Sequence, residues 1–141
     1  MIIREGSDFV EIIATDVSSQ QPPAPHDMRF AVTIASSGFS GQGAAWVGVD
    51  QLAAFFAQLQ ELEGARTGSA TIGGQSPGQF SLRLWRVDSL GHMAVSGRLT
   101  HHQFGELRGP HLHAVEFGFE FDPTLLRSIV AEFESMLTLD R

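Results

Sequence analysis

Short stretches of strict alternation between apolar and polar residues, fenced by Gly, Pro, Ser or Asp, constrain this chain more than any other feature. Successive side chains of a β-strand point to opposite faces, so a period of two over several residues marks a strand with one side buried. The clearest are Arg29–Ile34 (RFAVTI), Phe80–Trp85 (FSLRLW), Met93–Leu99 (MAVSGRL) and Val115–Phe121 (VEFGFEF). Weaker ones lie at Phe9–Ala14 and Ala44–Val49, with a short seventh candidate at Ser69–Ile72. Two other segments switch to helical spacing. After Asp50, read as an N-cap, Leu52, Phe55, Phe56, Leu59 and Leu62 recur every three or four residues and stop at Gly64, a natural C′ residue. The second begins with Asp122 as N-cap and Pro123 at the first helical position, then presents Leu125, Leu126, Ile129, Val130, Phe133, Met136 and Leu137 as one stripe.

The predicted order is three strands, a helix, four strands and a helix. Strands in runs with helices interposed singly predict an α+β domain: one antiparallel sheet of six or seven strands, one face covered by both helices. Gly73–Gly78 and Asp88–Gly91 suit hairpin turns, whereas Val17–Asp27, which contains Pro22, Pro23 and Pro25, reads as a flexible loop after the first strand. No repeat or internal boundary divides residues 1–141, which read as a single domain.

Taking the more apolar phase of each strand as the core side leaves Arg29, Thr33, Ser81, Arg83, Trp85, Ser96, Arg98, Glu116 and Glu120 on the opposite, open side. That face is polar but carries a tryptophan, the residue type most often used as an anchor for a protein partner. Arg83, Trp85, Arg98, Glu116 and Glu120 are therefore the candidate partner-binding residues.

Charge narrows the partner. Sixteen acidic residues against nine basic ones give a net charge of −7, which argues against nucleic acid and anionic membranes, since both reward clustered cations. The absence of cysteine removes disulfides, thiolate nucleophiles and Cys-containing zinc sites. Residues 1–6 (MIIREG) contain no basic segment leading into an apolar run, and no apolar stretch approaches the ~20 residues that span a bilayer. The expectation is a cytoplasmic protein.

Four histidines, His101, His102, His111 and His113, form the one cluster with metal-ligand character. Residues two apart on a strand share a face, as His111 and His113 do, and His101 or His102 could supply a third imidazole. The segment is close to the His-x-His of cupin metal sites, but Glu116 comes too soon after His113 and falls on the other face. Glu116 and Glu120 lie ~13 Å apart along a strand, too far for a glycosidase pair, and Arg83 and Arg98 offer them simpler ion-pair partners. None of Ser37-Gly38, Ser40-Gly41 and Ser96-Gly97 sits in a Gly-x-Ser-x-Gly elbow, and the glycine-rich Gly38–Gly43 joins strands without opening a helix. No catalytic residue and no cofactor is predicted.

As a whole the chain resembles a bacterial family. Phe30-x-Val32-x-Ile34, Gly38-Phe39-Ser40-Gly41, the helix with Asp50, Leu52, Phe55, Phe56, Leu59 and Leu62, Gly68-x-Ala70, and Phe117-x-Phe119-x-Phe121-Asp122-Pro123-x-Leu125-Leu126 carry the likeness. The family comprises small domains similar to the WapI-type immunity proteins of polymorphic toxin systems. The resemblance rests on fold-determining residues and implies a non-catalytic antidote that binds and neutralises a cognate toxin domain, a basic one being favoured by the charge. Two alternatives stay open: a structural or homodimeric binding domain, and a metal-dependent protein using the histidine cluster.

Overall fold

The computed structural model describes residues 1–18, 26–103 and 111–138, and only the backbone of His102, Gln103 and His111. The strands are β1 (Ile2–Glu5), β2 (Asp8–Val17), β3 (Met28–Ser36), β4 (Phe39–Val47), β5 (Ser69–Gly73), β6 (Phe80–Arg86), β7 (Met93–Gln103) and β8 (His111–Phe121). Helix α1 (Val49–Ala65) separates β4 from β5, and a 3₁₀ turn (Pro123–Leu125) leads into α2 (Leu126–Leu137).

The architecture is α+β and antiparallel, but the strands form two four-stranded sheets, β1-β2-β3-β4 and β5-β6-β7-β8, where the alternation predicted one sheet of six or seven. Alternation is a local signal and does not say which strands pair. The extra strand is β1, too short to alternate visibly; it forms a hairpin with β2 through Gly6, whose φ of 60° suits glycine. Every pairing joins neighbours in sequence, so each sheet is a meander.

A second correction concerns β4. The fragment read as Ala44–Val49 is the end of a longer strand that starts at Phe39, and Val49 already belongs to α1. Ser37 and Gly38, both at positive φ, make the β3–β4 hairpin turn. Gly41 and Gly43 sit in the strand on the core side of β4, in register with Ile34 and Val32. A Cβ at Gly41 would stand 2.8 Å from Cγ2 of Val115, and one at Gly43 would stand 3.4 Å from Leu99. The glycines let the first sheet close onto the second at this seam.

Away from the seam the helices fill the space. Phe133 of α2 packs against Phe55 of α1 at a ring separation of 5.0 Å, Phe56 at 6.3 Å and Phe30 of β3 at 6.4 Å. Buried residues of both sheets and both helices make one continuous core that includes Ile3, Ile34, Leu59, Leu84 and Val95. On β8, Phe121 is buried, while Phe117 and Phe119 are only partly so.

The helix ends differ from expectation at α1. Its N-cap is Gly48 rather than Asp50, and the orphan N–H of Val49 is taken at 2.9 Å by Oδ1 of Asp27, more than twenty residues upstream. Gly64 lies inside the helix, and Arg66 in the left-handed conformation ends it, its N–H bonded to the carbonyl of Leu62. Asp122, predicted to cap the second helix, caps instead the 3₁₀ turn that leads into it, accepting from the N–H of Thr124, and α2 itself starts after Leu125 with no side-chain cap. Of the predicted loop, Val17 belongs to β2, residues 19–25 lie outside the described residues, and the flanks are tied by Ser18 N–H to Asp27 O at 2.9 Å.

Three sheet edges are covered in part. Glu132 of α2 accepts the N–H of Ile2 on β1 at 2.9 Å, and Gln58 of α1 accepts that of Thr71 on β5 at 2.8 Å. On β4 the carbonyls of Trp46 and Ala44 accept from the Gln75 N–H and from Nε2 of Gln79, both in the β5–β6 loop. Edge groups satisfied in this way do not template pairing with another chain. Among the described residues no helix is long and apolar enough to cross a membrane.

Candidate functional site: two open sheet faces

Because there are two sheets, the predicted open face divides. Arg29 and Thr33 lie on the outer side of the first sheet, whereas Ser81, Arg83, Trp85, Ser96, Arg98, Glu116 and Glu120 lie together on the outer side of the second. The five candidate partner-binding residues thus share one surface. Its rows follow from the register: Ser69, Trp85, Ala94 and Glu120 run across one level, Thr71, Arg83, Ser96 and Gly118 the next, and Gly73, Ser81, Arg98 and Glu116 the third.

The guanidinium of Arg83 lies 4.6 Å from the centroid of the Trp85 ring. This contact holds the half-buried indole against the sheet and leaves its rim available. Arg98 reaches Glu116 directly across the β7–β8 pair at 3.3 Å. Both members are well exposed, so the pair sets pattern more than stability. Glu120 stands at the far end of the tryptophan row. The face carries no nucleophile beside a base.

The outer face of the first sheet is a second open surface. It presents Arg4, Phe9, Glu11, Ile13 and Asp16 from β1 and β2, and Arg29, Ala31, Thr33, Ala35, Ser40, Gln42, Ala44 and Trp46 from β3 and β4. Ile13 and Trp46 are exposed. Each open face holds two arginines and two carboxylates, so neither contributes to the excess of seven negative charges.

Of the histidine cluster, His101 and His113 are cross-strand partners on β7 and β8. They line a shallow cavity of about 440 Å³ against Ser40, Gly41 and Gln42 of β4. The side chains of His102 and His111 lie outside the described residues. Among the described residues no three His, Asp or Glu side chains gather as a metal-binding group.

The alternation of strands does not reveal the charged turn between β6 and β7. There the Nδ1–H of His92 donates to Asp88 at 2.6 Å, while the other carboxylate oxygen of Asp88 accepts the N–H groups of Leu90 and His92. The contact between the side chains holds the Asp88 carboxyl below its usual value and raises the imidazole above its own. Beside this turn Glu5, Glu120 and Asp122 line a cavity of about 550 Å³. An Asp and a His four residues apart across a glycine turn is the only mark this feature leaves in the sequence.

A model of the WapI-like immunity protein family matches residues 1–139. The chain belongs to the WapI-like immunity protein family. The match runs from β1 through α2, so both sheets and both helices of this family member fall within it. No curated protein and no solved structure matches the chain.

Proposed function

We propose that this WapI-like protein is a non-catalytic immunity protein that acts in the cytoplasm by binding and neutralising a cognate toxin domain. The family match over residues 1–139 carries the reading. The binding surface is the outer face of the second sheet, with Trp85 as anchor, Arg83 holding it in place, and Arg98, Glu116 and Glu120 selecting the partner by charge. In support, a half-buried tryptophan within a rim of both signs has the anatomy of a specific interface. The negative charge on the remaining surface attracts a basic toxin domain at long range, and the balanced face then decides fit.

Capture of the tagged protein's partners from its native host, identified by mass spectrometry, tests the function. A stable complex with a toxin domain whose activity the protein blocks supports it; capture of nothing, with the toxin still active, overturns it. Trp85→Ala tests the surface. With folding unchanged by circular dichroism, toxin affinity should fall ten- to a hundredfold or more, as truncated anchors do. Affinity equal to that of the parent would move the interface elsewhere.

A further inference from the structure

We propose that the outer face of the first sheet is a self-association surface, on which a second copy of the chain docks by an isologous two-fold contact between β2 and β3. Bulk and charge are divided unequally between these two strands. On the outer face β2 presents the larger side chains, Phe9, Glu11 and Ile13, and the register sets them beside Ala35, Thr33 and Ala31 of β3. β2 is therefore a ridge and β3 a trough, matched level by level. The guanidinium of Arg4, 4.6 Å from the ring of Phe9, props the end of the ridge.

A two-fold axis lying between two such faces, parallel to the strands and over the seam between β2 and β3, exchanges the two strands. Ile13 then rests on Ala31 of the second copy, Phe9 on Ala35 and Glu11 beside the hydroxyl of Thr33. The reciprocal contacts form by symmetry. Charge obeys the same rule. A β-bulge between Ala14 and Asp16 shifts the register so that Asp16, not Thr15, faces Arg29 across the strands. The axis sets Asp16 of each copy against Arg29 of the other. Within one chain Nη1 of Arg29 donates to the Thr15 hydroxyl at 3.1 Å and comes no closer than 4.0 Å to Asp16, and with both charged groups well exposed each has room for a further partner. Two chains of charge −7 repel, and a docking face with two charges of each sign keeps that repulsion out of the contact. The second sheet's face is balanced as well, but its centre is polar, with Ser96 beside Arg83, whereas Ile13, Ala31 and Ala44 form an unbroken apolar level here. Sheets packed face to face in near alignment are a common sandwich geometry.

The test is the oligomeric state of the purified full chain by size-exclusion chromatography with light scattering, at micromolar concentrations and above. The parent should run at twice the chain mass. Asp16→Arg and Arg29→Asp should each weaken self-association by at least roughly tenfold, because each places like charges in both symmetric contacts. An equimolar mixture of these two variants should recover the dimer, since both contacts of the mixed pair join opposite charges. Ile13→Glu, at an exposed position, provides a second disruption should a charge variant fail to fold, and circular dichroism reports the fold of each. A parent that runs at one chain mass throughout overturns the proposal, as do variants that dimerise like the parent or a mixture that stays monomeric.

Discussion

Gly41 of β4 and Val115 of β8 meet across the two sheets with no room for a further carbon between them. This contact fixes how closely the halves of the molecule approach, and it yields the first prediction. Gly41→Ala should destabilise the protein by about 1–3 kcal/mol, because the stiff, branched Val115 cannot swing away as a longer side chain would. Gly43→Ala, which meets Leu99 at ordinary contact distance, should cost much less. Urea unfolding of both, and of Gly41→Ala combined with Val115→Ala, checks this: the double variant should recover part of the loss.

Gly97 is more tightly enclosed. A Cβ there would stand 2.6 Å from the carbonyl oxygen of Ser81 and 2.7 Å from the ring of Phe117, its cross-strand partner. The carbonyl belongs to the backbone of β6 and can move only with its strand. Gly97→Ala should therefore cost more than Gly41→Ala, and Phe117→Leu should not rescue it. Thermal unfolding of the three variants decides the order.

Phe133 joins α2 to α1 and to β3 through aromatic contacts and is fully buried. Phe133→Ala should cost about 3–5 kcal/mol, the range for truncating a large core aromatic. Denaturant unfolding gives the value. A loss below 1 kcal/mol would contradict the central place assigned to this ring.

The helices and the clear strands were legible because their signals are local. Asp122 and Pro123 announce their own helix start, and the stripe from Leu125 to Leu137 needs no distant partner to be recognised. The alternation of β3, β6, β7 and β8 likewise identified the faces, so Arg83, Trp85, Arg98, Glu116 and Glu120 were correctly grouped on one side. The division into two sheets was not legible, because it depends on where α1 carries the chain after β4. The cap of α1 illustrates the same limit. Asp50 is the obvious local candidate, yet Asp27 takes the N–H of Val49 and also accepts from Gln75 at 2.8 Å. Within Gly38–Gly43, glycine hides strand character because it offers no side chain to alternate.

That remote cap gives a further prediction. Asp27→Ala should lower stability by about 1 kcal/mol, typical of a lost helix cap, and should loosen the β5–β6 loop that Asp27 holds through Gln75. Hydrogen exchange at Val49 and Gln75, compared with Asp27→Asn, checks it. The asparagine keeps one acceptor and should retain protection at Val49.

The Asp88–His92 pair predicts a pH dependence. His92 has a raised value in the folded chain, so its contribution is present below its unfolded value and is lost as pH rises through the raised one. The lowered value of Asp88 makes its contribution present above its unfolded value and lost as pH falls through the lowered one. The turn should thus be tightest between the two. An NMR titration of His92 should place its midpoint above that of a free imidazole, and Asp88→Asn should bring it down. An unchanged midpoint in the variant would show that Asp88 does not hold the proton.

The meander order of the sheets bears on how the molecule comes into being. Strands 1 to 4 pair only among themselves and are contiguous in the chain, as are strands 5 to 8. Each half can therefore assemble from successive hairpins with short loops to close, a cheap search for a protein so rich in strands. During synthesis the first sheet can form behind the ribosome while the second is still unmade. The residues of α2, downstream of both sheets, bring Glu132 back to Ile2 and Phe133 onto Phe30, so the core is complete only once α2 has followed both sheets out.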